Sequence, residues 1–189
     1  MEAQINSVKQ KSKISTRQLV VMAMLTAISV VFVSLIHFPI FPAAAFLEYD
    51  PADIPILIGT LMYGPVAGVI LTVVASLIQG MTVSAGSGII GIIMHVFATG
   101  ICAFAAGSIY NRNKTRKNAA IGLAVGAILM TIAMVIMNLI FTPLFMGAPL
   151  EAVISMLVPI IIPFNLLKAG INCIFTFILF CGISKAINK

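Results

Sequence analysis

Apolar runs of membrane-spanning length recur along almost the whole chain, and they restrict its fold more than any other feature. Helices that cross a bilayer need about 20 predominantly apolar residues. Of the 189 residues, 61% are hydrophobic and 8% are charged, whereas soluble domains carry about 25% charged residues. The sequence therefore predicts an all-α integral membrane protein and excludes an ordinary soluble domain. We expect one membrane domain over residues 1–189, with a cytosolic tail at 1–16 and spans at about 17–36, 53–63, 65–80, 88–110, 119–142 and 159–185.

The second predicted span is short, and basic residues decide whether it crosses. At about 1.5 Å per residue it covers about 16 Å, so either it is re-entrant or the preceding loop dips into the membrane to complete the crossing. If it crosses, the basic residues of the tail, of the loop at 111–118 and of the C-terminus all lie on one side. The positive-inside rule favours this topology, with six spans and both termini in the cytosol. The net charge of +6 is then explained by orientation rather than by nucleic-acid binding.

Three polar residues interrupt the last apolar run. Asn165, Lys168 and Asn172 are spaced i, i+3, i+7, which places them on one face of a helix. An ionisable side chain at membrane depth costs about 2.5–3.5 kcal/mol even on the lenient insertion scale, so it normally faces a partner, a cavity or a ligand. The spacing therefore predicts that this face points inward.

Other polar residues fall at similar depth in the outer half of the membrane. Asn138 and His95 lie about 6 and 10 Å below the outer ends of their helices, and Lys168 lies about 13 Å below. Above them is an acidic and aromatic loop, followed by Asp53, which we predict to cap the second helix. The arrangement predicts an outward-opening pocket, roofed by the loop and floored by Lys168. The candidate ligand-binding residues are Phe46, Leu47, Glu48, Tyr49, Asp50, Met94, His95, Asn138, Phe141, Phe164, Asn165, Lys168 and Asn172.

Each candidate also has a purely structural interpretation. Lys168 can pair with one of the outer carboxylates, and Asn138 and Asn172 can act as hydrogen-bonding links between helices. We also expect a loop over residues 143–158, which can include a short surface helix. The run Gly86–Gly91 matches a dinucleotide-binding pattern but follows no predicted strand, although its backbone N–H groups remain accessible to a ligand.

The sequence carries no motif for catalysis or for ATP binding. No Walker A, H-E-x-x-H or G-x-S-x-G pattern occurs. The three cysteines lie within spans and have no metal-ligand spacing. We therefore predict no catalytic residues, no metal and no cofactor.

Two longer motifs resemble a known family. The run at 50–59, followed by Gly64–Gly68, resembles the signature of the substrate-binding S components of energy-coupling factor (ECF) vitamin transporters. The run at 162–168, together with Asn138 followed by Pro143 and Leu144, resembles the riboflavin-specific branch. The resemblance implies six helices that capture riboflavin from outside with high affinity. It also implies docking onto a coupling protein of the membrane and two ATPase subunits, which drive release inward.

The resemblance also assigns a role to the first helix. Ala23 and Ala27 form a small-xxx-small pattern, which lets helices approach closely, and in this family that pattern is the docking surface. Two alternatives stay open on the sequence alone. One is an S component specific for another vitamin of the same family, and the other is a self-sufficient transporter in which Lys168 and the outer carboxylates relay protons.

Overall fold

The computed structural model describes residues 15–187, and helices dominate this part of the chain. The predicted cytosolic tail lies almost entirely outside the described residues. Two short strands, β1 (Phe38–Pro39) and β2 (Glu48–Tyr49), pair antiparallel within the connection after the first helix. The helices are α1 (Thr16–Leu35), α2 (Asp53–Tyr63), α3 (Pro65–Met81), α4 (Gly88–Arg112), α5 (Arg116–Met146), α6 (Leu150–Met156) and α7 (Ile162–Ile187).

Four helical stretches are long and apolar enough to cross a membrane. They are Thr16–Leu35, Ala85–Arg112, Arg116–Met146 and Leu150–Lys185. Many of their large apolar side chains are exposed, as expected for surfaces that face lipid. The fold is therefore that of an all-α multi-pass membrane protein, as the sequence predicts. Helices α2 and α3 are apolar but shorter, so the count of six crossings stays a prediction.

Helix α2 occupies the centre of the bundle. Every residue from Asp53 to Leu61 is buried, because the helix is apolar on all sides and contacts α1, α3, α4 and α7. The loop before α2 enters the bundle to reach it, since Ser29 Oγ donates a hydrogen bond to the carbonyl oxygen of Ala52 at 2.7 Å. Ser29 lies seven residues before Ile36, the C-cap residue of α1, which is about 10 Å along the helix from that end.

Helices α4 and α5 approach each other backbone to backbone. A Cβ atom built on Gly122 would lie 2.8 Å from the carbonyl oxygen of Ala106, and one on Gly126 would lie 2.8 Å from that of Cys102. These separations are shorter than real Cβ atoms tolerate. The two glycines thus let α5 pack closely against α4 and fix the helices that carry much of the site.

The structure differs from the sequence predictions at two places. The expected loop over 143–158 is wrong in its extent: α5 continues through Pro143 to Met146, and its C-cap residue Gly147 ends the helix with a left-handed φ of 61°. A short helix does occur within the expected loop, as α6. Helix α6 then leads through a π-helical segment, Leu157–Ile161, directly into α7. Pro143 has no backbone N–H and so removes one hydrogen bond of α5, but the helix continues on both sides of it. The predicted capping by Asp53 is also wrong, since Ala52 is the N-cap residue and Asp53 is the first helical residue.

Candidate functional site

A cavity of about 170 Å³ lies between the loop that follows α1 and the helices α4, α5 and α7. It is found where the sequence predicts a pocket. The cavity is lined by Phe46, Leu47, Glu48, Ser87, Ile90, Gly91, Met94, His95, Ala98, Met130, Met134, Asn138, Thr142, Phe145, Phe164, Asn165 and Lys168.

Apolar side chains form most of the cavity wall. Phe164 and Leu47 are almost completely buried and belong to one packed cluster beneath the loop, together with Val153 and Ile161. This cluster packs the loop against the start of α7, so the loop that covers the cavity is held by apolar contacts. Thioether side chains of α4 and α5 complete the wall, and such side chains adapt readily to a flat ligand surface.

Two buried asparagines contribute polar groups to the same cavity. Asn138 Nδ2 donates to the carbonyl oxygen of Met134 at 2.8 Å, and its Oδ1 accepts from Thr142 Oγ1 at 2.8 Å. Asn165 Nδ2 donates to the carbonyl oxygen of Ile161, also at 2.8 Å. An amide offers two donors and two acceptor sites. Each side chain is thus held in place by its own helix and keeps hydrogen-bonding capacity for a ligand.

Lys168 ties the loop to α7 at the edge of the cavity. Its Nζ donates to Asp50 Oδ2 at 2.6 Å, and it lies 3.4 Å from the carbonyl oxygen of Glu48. Both side chains of the ion pair are mostly buried, with 14% and 15% of their area exposed. Lys168 therefore pairs with an outer carboxylate and also lines the cavity, so its structural and its ligand-binding interpretations are compatible.

Asn172 lies behind the cavity rather than in its wall. Its Nδ2 donates to the backbone oxygen of Asp50 and to Asp53 Oδ2, both at 3.1 Å. Its Oδ1 accepts from the Tyr49 hydroxyl at 3.1 Å. A tyrosine phenol is protonated at neutral pH, so the Tyr49 hydroxyl is the donor of this bond.

His95 connects the cavity wall to a buried carboxylate. Its Nε2 lies 3.1 Å from Asp53 Oδ1, and its Nδ1 lies 2.9 Å from Ser76 Oγ. Because a carboxylate only accepts hydrogen bonds, Nε2 carries the proton of this pair. Thr99 Oγ1 donates to the same oxygen of Asp53 at 2.8 Å. His95 is thus a half-buried histidine with both ring nitrogens hydrogen-bonded, and it also lines the cavity.

A second cavity of about 160 Å³ adjoins the first and is more polar. The two share six lining residues, among them Phe46, His95 and Lys168. The second is lined in addition by Asp50, Ser76, Gln79, Gly80, Ser84 and Ile92. Each cavity alone is smaller than the usual range of about 300–1,000 Å³ for ligand sites, and the two together reach the lower end of that range.

The structure brings most of the candidate residues together. Nine of the thirteen line the first cavity, whereas Tyr49, Asp50, Phe141 and Asn172 do not. Asp50 lines the second cavity, Tyr49 and Asn172 lie in the hydrogen-bonded layer behind the wall, and Phe141 is half-buried outside it. Whether any of these residues binds ligand stays a prediction.

The sequence predictions omitted several lining residues that helical spacing could have identified. Met130, Met134, Asn138, Thr142 and Phe145 recur at spacings of four and three residues, which defines a single face of α5. Extending the face from Asn138 in both directions finds the other four. The glycine-rich run Gly86–Gly91 also reaches the cavity, through Ser87, Ile90 and Gly91.

The proposed docking residues lie on a different surface. Ala23 and Ala27 are exposed on α1, and the buried side of that helix is formed instead by Met22, Thr26, Ser29 and Val33. The small residues are therefore not used for packing within the described part of the chain, and they remain available to a partner.

Comparison with known proteins agrees with this architecture. Residues 17–180 match the family model of the ECF transporter substrate-specific component. A solved structure described as the S component of a bacterial ECF transporter superposes with a TM-score of 0.78 at 29% identity, covering 92% of this chain and 98% of the other.

Characterised relatives are similar at the sequence level. The riboflavin transporter FmnP of Bacillus subtilis is 26% identical over 181 residues, covering 92% of this chain and 95% of the relative. The riboflavin transporter RibU of Streptococcus thermophilus is 30% identical over 116 residues, covering 61% of this chain. RibU of Staphylococcus aureus is 32% identical over 113 residues, covering 60% of this chain. The aligned region spans only 54% and 58% of the two RibU proteins.

The fold and the cavity define a multi-pass membrane protein with a cavity enclosed by helices and one loop. The match over residues 17–180 identifies the family: the chain belongs to the substrate-specific components of ECF transporters.

Proposed function

We propose that this chain is the riboflavin-capturing subunit of an ECF-type importer. The observation that carries the proposal is the pair of adjoining cavities, one with mainly apolar walls and one with mainly polar walls. Riboflavin has a flat aromatic ring system with a polar edge and a chain of hydroxyl groups. A ligand with these two parts matches an apolar and a polar compartment placed side by side. The names of the relatives point to the same vitamin.

The polar groups of the first cavity suit the edge of the flavin ring. Ring carbonyls accept hydrogen bonds, and Lys168 and the amide groups of Asn138 and Asn165 can donate them. Phe46, Phe164 and the methionines supply flat or adaptable apolar contacts for the ring faces. No group in this set has the pairing of nucleophile and base that catalysis needs, so we propose binding without chemical change.

The proposed topology has six crossings, with both termini in the cytosol. In this arrangement the loop that enters the bundle completes the crossing begun by the short α2. The four cations between Arg112 and Lys117 and the exposed Lys185 then lie at the cytosolic side, and the cavities open outward. Riboflavin would enter from the extracellular side, and release would occur inward.

Membership of the family implies partners. We propose that a membrane coupling protein docks on the α1 face that contains Ala23 and Ala27, and that two separate ATPase subunits supply the energy. The exposure of both alanines on α1 supports this surface, because small residues allow a partner helix to approach closely.

Fluorescence titration of the purified, ligand-stripped full chain in detergent tests the substrate. Flavin enclosed against aromatic walls should lose its emission, so we expect saturable quenching at nanomolar riboflavin. Thiamine and biotin, added in excess as competitors, should leave the quenching unchanged. Absence of quenching at micromolar riboflavin would refute the substrate and leave the family assignment standing.

A further inference from the structure

Asp53 has a buried carboxylate and lines neither of the two cavities. It is 1% exposed and begins α2 at the centre of the bundle. Three side chains donate to it: His95 Nε2 and Thr99 Oγ1 contact Oδ1 at 3.1 and 2.8 Å, and Asn172 Nδ2 contacts Oδ2 at 3.1 Å. A buried charge requires such partners, because an unpaired one is strongly destabilising.

The donors to Asp53 lead to two opposite parts of the cavity. His95 belongs to α4 and lines the cavity directly. Asn172 belongs to α7 and also donates to the backbone of Asp50, whose side chain pairs with the lining residue Lys168. The carboxylate of Asp53 is thus one contact away from the imidazole on one wall and three contacts away from the ammonium group on another.

We propose that Asp53 is a positioning residue for ligand binding, whose carboxylate holds His95 of α4 and Asn172 of α7 in register and so sets the shape of the cavity between them. This inference rests on the proposed function of riboflavin capture. Asp53 does not touch the ligand, and its effect passes through the side chains that it orients. We infer that this pair of positions requires one carboxylate and one amide, and that the carboxylate can belong to residue 53 or to residue 172.

The geometry of this pair predicts a rescue. In Asp53→Asn, an amide donor of residue 53 can face the amide donor of Asn172 across about 3 Å. The negative charge that accepts hydrogen bonds from His95, Thr99 and Asn172 is also lost. In Asn172→Asp, two carboxylates face each other at that distance, which is unfavourable. The double variant again has one carboxylate and one amide, so the amide of position 53 donates to Asp at 172. The Tyr49 hydroxyl can still donate to that carboxylate. The contact with the Asp50 backbone is lost, and His95 and Thr99 donate to the amide oxygen of position 53 instead of to a carboxylate.

The experiment compares the unaltered chain, both single variants and the double variant as full-length proteins in detergent. Riboflavin affinity is measured by quenching, and the ligand-free melting temperature is measured on the same samples. We expect each single variant to bind at least about ten-fold more weakly, as loss of a charged hydrogen bond implies. The double variant should bind more tightly than either single variant, although less tightly than the unaltered chain, because His95 and Thr99 then donate to a neutral amide oxygen. Thr99→Val is the matched control, because it removes one donor and keeps the carboxylate, and it should lose less affinity than either single variant.

A double variant that binds no more tightly than the tighter-binding single variant overturns the proposal, since Asp53 would then be needed for a reason other than supplying one carboxylate to this pair of positions. If the single variants do not fold, a folded double variant that binds riboflavin is the same rescue, and an unfolded double variant overturns it. Failure of the unaltered chain to bind riboflavin would refute the proposed function instead. In that case the melting temperatures still test whether one carboxylate at either position is sufficient. A double variant that melts no higher than the single variants contradicts that claim.

Discussion

Replacement of Lys168 by methionine separates two roles that this side chain combines. Methionine keeps the length and the apolar stem of lysine but removes the ammonium group. In the structure that group pairs with Asp50 at 2.6 Å and lines the first cavity. The substitution therefore removes a donor for the ligand and also leaves the Asp50 carboxylate without its partner.

Both consequences have a magnitude. A hydrogen bond that involves a charged group contributes about 1.5–3 kcal/mol, and each 1.4 kcal/mol changes affinity about ten-fold. We therefore expect Lys168→Met to weaken riboflavin binding by one to two orders of magnitude. Removing one partner of a fully buried pair costs about 3–5 kcal/mol of folding stability. Because Asp50 keeps 15% exposure, the ligand-free protein should lose somewhat less than this and still fold.

A second substitution distinguishes the roles. Lys168→Met combined with Asp50→Asn removes the stranded charge, so it should restore much of the melting temperature. If Lys168 also contacts the ligand, affinity stays low in the double variant. If Lys168 only holds the loop, affinity recovers together with stability. Quenching titration and thermal melting of the same samples measure the two quantities, and Lys185→Met is the matched control because it alters an exposed lysine of the same helix.

Two outcomes would contradict a ligand-binding role for Lys168. Wild-type affinity in Lys168→Met would remove Lys168 from the site and would contradict the assignment of the first cavity as the place of the flavin edge. Recovery of affinity in the double variant would leave the cavity standing and restrict Lys168 to holding the loop.

Three further predictions test other parts of the structure. Asn138→Leu keeps the side-chain volume but removes the polar amide, so riboflavin titration should show about ten-fold weaker binding, and unchanged affinity would exclude this residue. Gly122→Ala forces a Cβ atom against the α4 backbone and should cost about 1–3 kcal/mol in a thermal melt, whereas Gly182→Ala, where a Cβ meets nothing within 4 Å, is the control. Bulky substitution of Ala23 and Ala27 should abolish vitamin uptake into cells that carry the partner subunits while leaving binding in detergent intact, and loss of binding would contradict a surface role.

Much of the fold is legible in the sequence because lipid imposes a simple rule. Apolar runs mark the long helices, and Gly64 followed by Pro65 marks the boundary between α2 and α3. The sequence mispredicts the end of α5 because Pro143 has the local character of a helix breaker. Whether proline ends a helix depends on the packing around it, and that packing is set by residues distant in the sequence.

The site is legible only in part, for a similar reason. Depth along each helix is a local quantity, so the sequence alone is enough to place Asn138, His95 and Lys168 at similar levels of the membrane. The hydrogen bond between Tyr49 and Asn172 joins residues 123 positions apart, and no local pattern encodes such a pairing. The same limit applies to Asp53, since its sequence position suggests a helix cap whereas its partners come from α4 and α7.

The enclosure of α2 has a consequence for how the protein is made. An 11-residue helix is too short to be retained in a bilayer as an independent span. Three of the four helices that contact it, α3, α4 and α7, follow it in the chain. During synthesis α2 therefore cannot reach its final environment until the C-terminal helix has been inserted, so a nascent chain truncated before α7 should leave α2 open to proteolysis.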